Sequence, residues 1–436
     1  MSDTEQTPTS TQDFTLKIEK NSSHLARGIV EIDKDTIEAI KNQIIDRYRN
    51  QVIQTGFKET PLEYIKNHYQ KEIRSSIKSF LLRYYVVDYL TNELINQGII
   101  VANFPRLYKI EFTSENALRY IFDISTTNPI PIREWKHFSF KAPKRKNYKD
   151  LDKQVSYFIK KEQERSKSSE KDRIEENDWV CFDAILVDPS GRPVPEIHKN
   201  NLWVRMNINN IPNPFLESFL NKKIGDTFLS NQLSLYDNFE DESGGKQSFF
   251  ITISALIKGT FCNMDAFKAM FRLKNKSDIH EKLIEVFSYR NDISQRKSII
   301  EEMFNLFFAK HRFEIPKHLI IRKQEEILFS LKQRPDYQVY KLNNNFSSQI
   351  EVLAEKQLKE EILMDQLANH ENIRIDVKDI QNYLNLFSNH RLKEFVYFKP
   401  SQDILEDNTL PIHHSLLRHL CRREKTLNYV LYHLTR

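Results

Sequence analysis

Glycine is scarce in this chain, with 8 in 436 residues. No Gly-rich turn can be assembled to cradle phosphates, so a phosphate-loop nucleotide enzyme is excluded. Cysteine is scarcer still: Cys181, Cys262 and Cys421 are odd in number and far apart. Neither a disulfide framework nor a zinc site follows, and a reducing, cytoplasmic setting is expected. No apolar run approaches the ~20 residues that cross a bilayer. Met1 to Gln12 has neither a basic nor an apolar signal region and is expected to be a disordered tail rather than a secretory signal. His413, His414 and His419 have only Cys421 as a companion at helical spacing. No Ser/His/Asp or Cys/His context is visible, so neither a metal nor another cofactor is expected. A large excess of one charge is also absent: 65 Lys and Arg face 60 Asp and Glu, for a net charge of +5. That permits an anionic partner without demanding one.

What is present is core-forming material, including 29 Phe and 18 Tyr, arranged in segments of different period. Residues 14–35 alternate as a hairpin does (Phe14, Leu16, Ile18, then Ile29-Val30-Glu31-Ile32). Two helices follow, over about 36–53 and from Leu62 to about Asn96, and strands return over 107–125. Residues 13–127 are therefore expected to form an α+β head. Pro129, Pro131 and Pro143 mark 128–177 as a linker with one charged helix near 151–168. It lacks a core of its own and should lie along another domain. Residues 178–258 read as a small β-rich domain able to fold alone. From 259 to 436 the period is helical, with segments near 277–312, 316–333, 346–370, 376–392 and 411–434, and Pro316 starting one of them. The fold class expected is α+β and multidomain, ending in a long all-α region.

One local motif stands out. Gly56-Phe57-Lys58 lies between the first two helices, just before Pro61, which suits a helix start. A helix–loop–helix tipped by an aromatic and a cation presents a small docking probe. The same residues also suit a C-cap glycine followed by a buried ring. Two basic clusters, 141–146 and 418–425, read as solvated faces or linkers.

The order of modules resembles trigger factor, the ribosome-associated bacterial chaperone, from about Phe14 to Tyr432. Gly56-Phe57-Lys58-Glu59-Thr60-Pro61 is similar to the family's Gly-Phe-Arg-Lys-Gly-Lys-x-Pro tip, two residues shorter and with Glu59 in place of a cation. Asp178-Trp179-Val180-Cys181-Phe182-Asp183, Ile211-Pro212-Asn213-Pro214-Phe215-Leu216-Glu217 and Lys223-Ile224-Gly225-Asp226-Thr227-Phe228 resemble elements of the family's FKBP-like prolyl isomerase domain. Phe313-Glu314-Ile315-Pro316 resembles the hinge between its arm helices.

The resemblance implies an ATP-independent chaperone that shields newly made chains. Its partners would be the large ribosomal subunit and nascent or unfolded polypeptides, with no membrane and no nucleotide, and with a homodimer as its form off the ribosome. Gly56, Phe57 and Lys58 would dock. An apolar isomerase pocket would draw on Phe215, on Phe249 or Phe250, and on Tyr236, favouring the twisted amide by excluding water. Ala184 stands where the family has an aromatic wall. That implies a widened, wetter pocket and reduced activity, which Ala184→Phe would raise. Phe287, Phe304, Phe307, Phe329 and Phe387 would offer unfolded chain an apolar cradle. The rival readings are a prolyl isomerase as the main activity and a non-enzymatic helical scaffold or RNA-binding protein. For the last, the sequence displays no aromatic–basic single-strand platform.

Overall fold

A computed structural model describes residues 14–20, 24–51, 60–99, 101, 105–113, 117–127, 130–132, 134–141, 150–168, 172–187, 193–206, 214–231, 248–259, 261–291, 293–311, 313–332, 334–388, 392–399 and 414–435. The protein is α+β, with two four-stranded sheets and many helices. The chain divides into two compact units. The first holds Met1–Asn128 with Ile185–Lys199 and Tyr236–Ser248, and the second holds Pro129–Ala184, Asn200–Leu235 and Phe249–Arg436.

In the N-terminal unit, β1 (Phe14–Lys20), β2 (Leu25–Ile32), β3 (Arg106–Phe112) and β4 (Leu118–Ser125) pair antiparallel in the order β1-β2-β4-β3. Alternation decides the faces: Ala26, Val30 and Ile32 of β2 and Leu118, Tyr120, Phe122 and Ile124 of β4 are buried. Helices α1 (Lys34–Gln51), α2 (Leu62–His68), α3 (Gln70–Leu81) and α4 (Val87–Asn96) complete this core. They contribute Ile37, Ile40, Ile65, Ile73, Ile77, Phe80, Leu90 and Leu94. Gly28 lies opposite Phe122, and a Cβ on it would sit 2.6 Å from the Ile124 Cδ1. A side chain there would have to displace the end of Ile124 in the core. The single helix expected from Leu62 to Asn96 is in fact three. Tyr69 leaves helical geometry at φ −113°, after the weak helix formers Asn67 and His68, and a π turn at Leu82–Val86 joins α3 to α4.

After α5 (Leu151–Ser168) comes a sheet of β5 (Trp179–Val187), β6 (Pro193–Arg205), β7 (Thr227–Ser230) and β8 (Ser248–Ile257), ordered β6-β5-β8-β7. A one-turn helix, α6 (Pro214–Glu217), precedes β7. The helical region comprises α7 (Met264–Met270), α8 (Lys276–Asn291), α9 (Ile293–Lys310), α10 (Lys317–Lys332), α11 (Tyr337–Lys341), α12 (Phe346–His370), α13 (Val377–Ser388) and α14 (His414–Leu434).

The β module shares one of its buried faces with its neighbours. Trp179, Cys181, Trp203, Ala255 and Ile257 belong to one buried cluster with Phe158 of α5, Phe267 of α7, Phe287 of α8 and Tyr383 of α13. Cutting the module out would expose that face to water. Its two chain crossings are also tied together. Lys258 donates to Asp178 Oδ2 (2.8 Å), Glu175 Oε2 (2.7 Å) and the Arg173 carbonyl (2.8 Å), and the Gly259 N–H donates to Asp178 Oδ1 (2.8 Å). A Cβ on Gly259 would stand 1.9 Å from the Asn177 carbonyl oxygen. Backbone has to move to admit it. Gly259→Ala is expected to cost about 2–3 kcal/mol by pulling this crossing apart, read as a lower denaturation midpoint.

The linker is anchored rather than loose. Ile130, Ile132 and Trp135 share a core with Met303, Phe304 and Phe307 of α9, Leu363 and Leu367 of α12 and Leu427 and Val430 of α14. Trp135 Nε1 donates to Glu371 Oε1 (2.9 Å), while Lys136 (2.6 Å) and the Tyr429 hydroxyl (2.8 Å) donate to Oε2. Burial opposes the Glu371 charge, but these bonds outweigh it and hold the carboxyl down to about 2. An unfolded-state glutamate titrates near ~4.3. The stabilisation from Glu371 is therefore present above that value and is lost as pH falls towards 2. Glu371→Gln is expected to lower stability by about 2 kcal/mol at pH 7 and to have little effect at pH 2, measured by denaturation at both pH values.

Candidate functional site

Two of the expected sites lie partly outside the described residues. Gly56, Phe57 and Lys58 are outside them, as is Tyr236. The loop's downstream flank is described: Pro61, at φ −59°, immediately precedes α2, and Thr60 beside it is buried.

In the β module, Phe215 and Phe249 are both buried. Phe215, the second residue of α6, packs edge-on to Phe219 (5.0 Å) and Phe182 (5.9 Å), and Phe219 meets Phe228 at 5.1 Å. Aromatic rings thus fill the ground around Phe215. Ala184 is 2% exposed. A phenylalanine has no open wall to rebuild there and would overpack the interior, so the expected gain from Ala184→Phe is withdrawn.

The helical region separates core aromatics from surface ones. Phe287, Phe304, Phe307 and Phe387 are buried and do not line an open cradle. Phe287 and Phe307 are covered from elsewhere in the chain, and Phe387 by a residue of its own helix. Phe158 packs on Phe287 (5.3 Å), Trp135 and Phe138 on Phe307 (6.0 and 5.5 Å), and Tyr383 stacks on Phe387 (6.4 Å). Phe329 differs, at 64% exposed.

Phe329 belongs to an apolar surface that helical periodicity alone does not reveal. On α10, Ile321 and Phe329 are eight residues apart on one exposed face, and only Leu319 of that helix is buried. Beyond it, α11 buries none of its residues and exposes Val339 (71%) and Tyr340, followed by Leu342 at 83%. The first turns of α12 add Val352 (63%) and Leu353. Burial along α12 is graded: Ile350, Ala354 and Leu358 are buried singly, whereas residues 362–368 are buried throughout. The α10–α12 hairpin is therefore an arm with a rooted base and an apolar, solvent-facing end. Large exposed apolar residues in such numbers mark an interaction surface.

The root is a network of buried charges. Arg423 of α14 bonds both oxygens of Asp365 (3.0 and 2.8 Å) and reaches Glu361 at 3.0 Å, and Lys323 of α10 bonds Glu361 at 2.9 Å. Burial works against the charges on Glu361 and Asp365, but Arg423 outweighs it and both carboxyls sit below their usual range. His419, 3.6 Å from Asp365, is pushed down to about 4 by burial and by Arg423. Arg422 donates to Asn369 and to the Ile373 carbonyl, and Lys425 to Asp379. The basic cluster at 418–425 thus has inward-facing members that hold helices together. The 141–146 cluster lies outside the described residues after Lys141. Among the described residues, no group of three His, Cys, Asp or Glu could hold a metal ion, and no helix is long and apolar enough to cross a membrane.

Comparison with known proteins bears on the same regions. The N-terminal family model described as "Bacterial trigger factor protein (TF)" matches residues 14–158. The trigger factor of Geotalea daltonii (strain DSM 22248 / JCM 15807 / FRC-32) is 20% identical over 385 residues, covering 85% of this chain and 86% of that protein. A solved structure reported as "Promiscuous Substrate Recognition in Folding and Assembly Activities of the Trigger Factor Chaperone" aligns over 96% of this chain and 99% of its own at 15% identity. Its TM-score of 0.36 is too low for that superposition to carry weight. With its first third matched to that family's N-terminal domain and a relative aligned along most of both chains, this protein is similar to trigger factors over most of its length.

Proposed function

We propose that this protein is an ATP-independent chaperone of the cytoplasm that docks on the large ribosomal subunit and shields newly made polypeptides. The observation that carries the shielding is the apolar end of the α10–α12 arm, where Ile321, Phe329, Val339, Leu342 and Val352 stand in solvent. Each contact would be weak and non-directional, so an unfolded segment binds at several points and leaves without nucleotide. The same surface is where two copies would pair off the ribosome.

Docking is assigned to Phe57 and Lys58, an aromatic and a cation suited to a ribosomal surface, with Gly56 setting the turn. Glu59 weakens that attraction. Phe57→Ala combined with Lys58→Ala is expected to reduce co-sedimentation with ribosomes by about tenfold, and Glu59→Lys to strengthen it. Unchanged sedimentation of the double variant at low and moderate salt would refute the assignment.

The β module is proposed to isomerise prolyl bonds slowly at best. A prolyl ring needs an open apolar slot, whereas Phe215 and Phe249 are buried and Phe215 is packed by neighbouring rings. Tyr236 is kept as the third residue of this weak site. A protease-coupled proline-peptide assay on the full chain checks the reading, which a rate matching efficient FKBP-type enzymes would overturn.

A further inference from the structure

The N-terminal unit carries a cationic surface that the docking loop does not account for. Lys71, Arg74 and Lys78 recur along α3 at the spacing of one helix face, while Ile73, Ile77 and Phe80 face the core. The Arg74 guanidinium lies 5.3 Å from the ring centroid of Phe112 at the end of β3, and the Lys78 ammonium lies 5.4 Å from the same centroid. Two like charges one helical turn apart thus converge on one half-buried ring. Among the described residues, no carboxylate pairs with any of the three. Glu111, next to Phe112, is engaged by Lys109 (2.5 Å) and Arg119 (3.9 Å). The fold brings together across 34 residues of sequence what the linear pattern kept apart, an aromatic bracketed by cations.

We infer that this face of α3 is a second contact surface of the head and that it takes the phosphate backbone of RNA. Three uncompensated cations along about 10 Å of helix match a polymer that carries a negative charge every few ångströms. The planar Arg74 fork suits phosphate oxygens, and the Phe112 ring beside it gives a flanking base a face to stack on. An acidic peptide would meet the charges but has no use for the ring. The surface deepens the ribosome-docking reading by naming RNA as the partner of α3, and it is tested here without ribosomes.

The probe is a fluorescent 20-nucleotide oligouridylate titrated with the full chain at 50–200 mM salt. Arg74→Gln with Lys78→Gln removes two charges while leaving aliphatic stems over Phe112, so the melting temperature should hold. RNA affinity at 50 mM salt is expected to fall about tenfold, and the slope of log affinity against log salt to shrink by about 1.4, the counter-ion release of two single-strand phosphate contacts. Arg74→Lys with Lys78→Arg, which keeps both charges, should stay within about twofold of wild type. Equal affinity and slope for wild type and the double Gln variant would overturn the inference, as would loss of binding to a polyglutamate peptide with RNA binding intact. Wild type that binds oligouridylate yet fails to co-sediment with ribosomes would refute the docking reading alone.

Discussion

Arg423→Ala is expected to lower the stability of the helical unit by about 3–5 kcal/mol, the scale for breaking a buried ion pair by removing one partner. The guanidinium lies between Asp365 and Glu361, with bonds of 2.8–3.0 Å to both. Without it, the ion-pair contacts left among the described residues are His419, 3.6 Å from Asp365 and itself held down to about 4, and Lys323 on Glu361, with the Arg422 charge still acting on Asp365. Buried Asp365 and partly buried Glu361 would be left short of positive charge, and an uncompensated charge costs most in a low dielectric. Because Lys323 sits on α10 and Arg423 on α14, the loss should also loosen the root of the arm. Chemical denaturation followed by circular dichroism reads the stability. Arg423→Met with Asp365→Leu should cost less than Arg423→Ala, since removing both charges leaves less unpaired. A single variant within about 1 kcal/mol of wild type would show that the network does not hold the helices.

Replacing Phe329, Val339, Leu342 and Val352 together by serine is expected to abolish most of the suppression of aggregation of a denatured globular protein. All four are at least 63% exposed. They therefore contribute little to the protein's own core, and the melting temperature should change by only a few degrees. A fully buried side chain of this size is worth about 1.5–3 kcal/mol, so four weak contacts made by a client would sum to a useful affinity. Phe304→Ser is the contrast: it opens a core and should unfold the protein before any effect on clients can be read. Suppression that survives the fourfold variant would move the client surface away from the arm.

The sequence made some of this legible and hid the rest for identifiable reasons. Strand alternation located β1, β2, β3 and β4, and Pro316 marked the start of α10, because those signals are local. The fate of each phenylalanine was not local. Helical spacing assigns Phe287, Phe304, Phe307 and Phe387 to faces, yet cannot say that Phe158 covers Phe287 or that Trp135 and Phe138 cover Phe307. Leu342 and Val339 were missed for the opposite reason. They lie in and just after the five-residue α11, too short to show a period. The β module's shared core was equally hidden, since Trp179 and Trp203 read as interior residues whichever partner buries them. The aromatic–basic platform on the head needed Phe112 of β3 to meet α3 in space.

Site-specific photo-crosslinking on translating ribosomes tests the chaperone reading most directly. A photoreactive residue at Leu342 places the probe on the most exposed apolar side chain of the arm, and one at Tyr108, an exposed residue of β3, serves as the control. With ribosomes stalled on a long, unfolded nascent chain, the account predicts strong crosslinks from position 342 to the nascent polypeptide and few from position 108, both lost when nascent chains are released by puromycin. Equal labelling from the two positions, or none from position 342 while the protein is bound to those ribosomes, would contradict it.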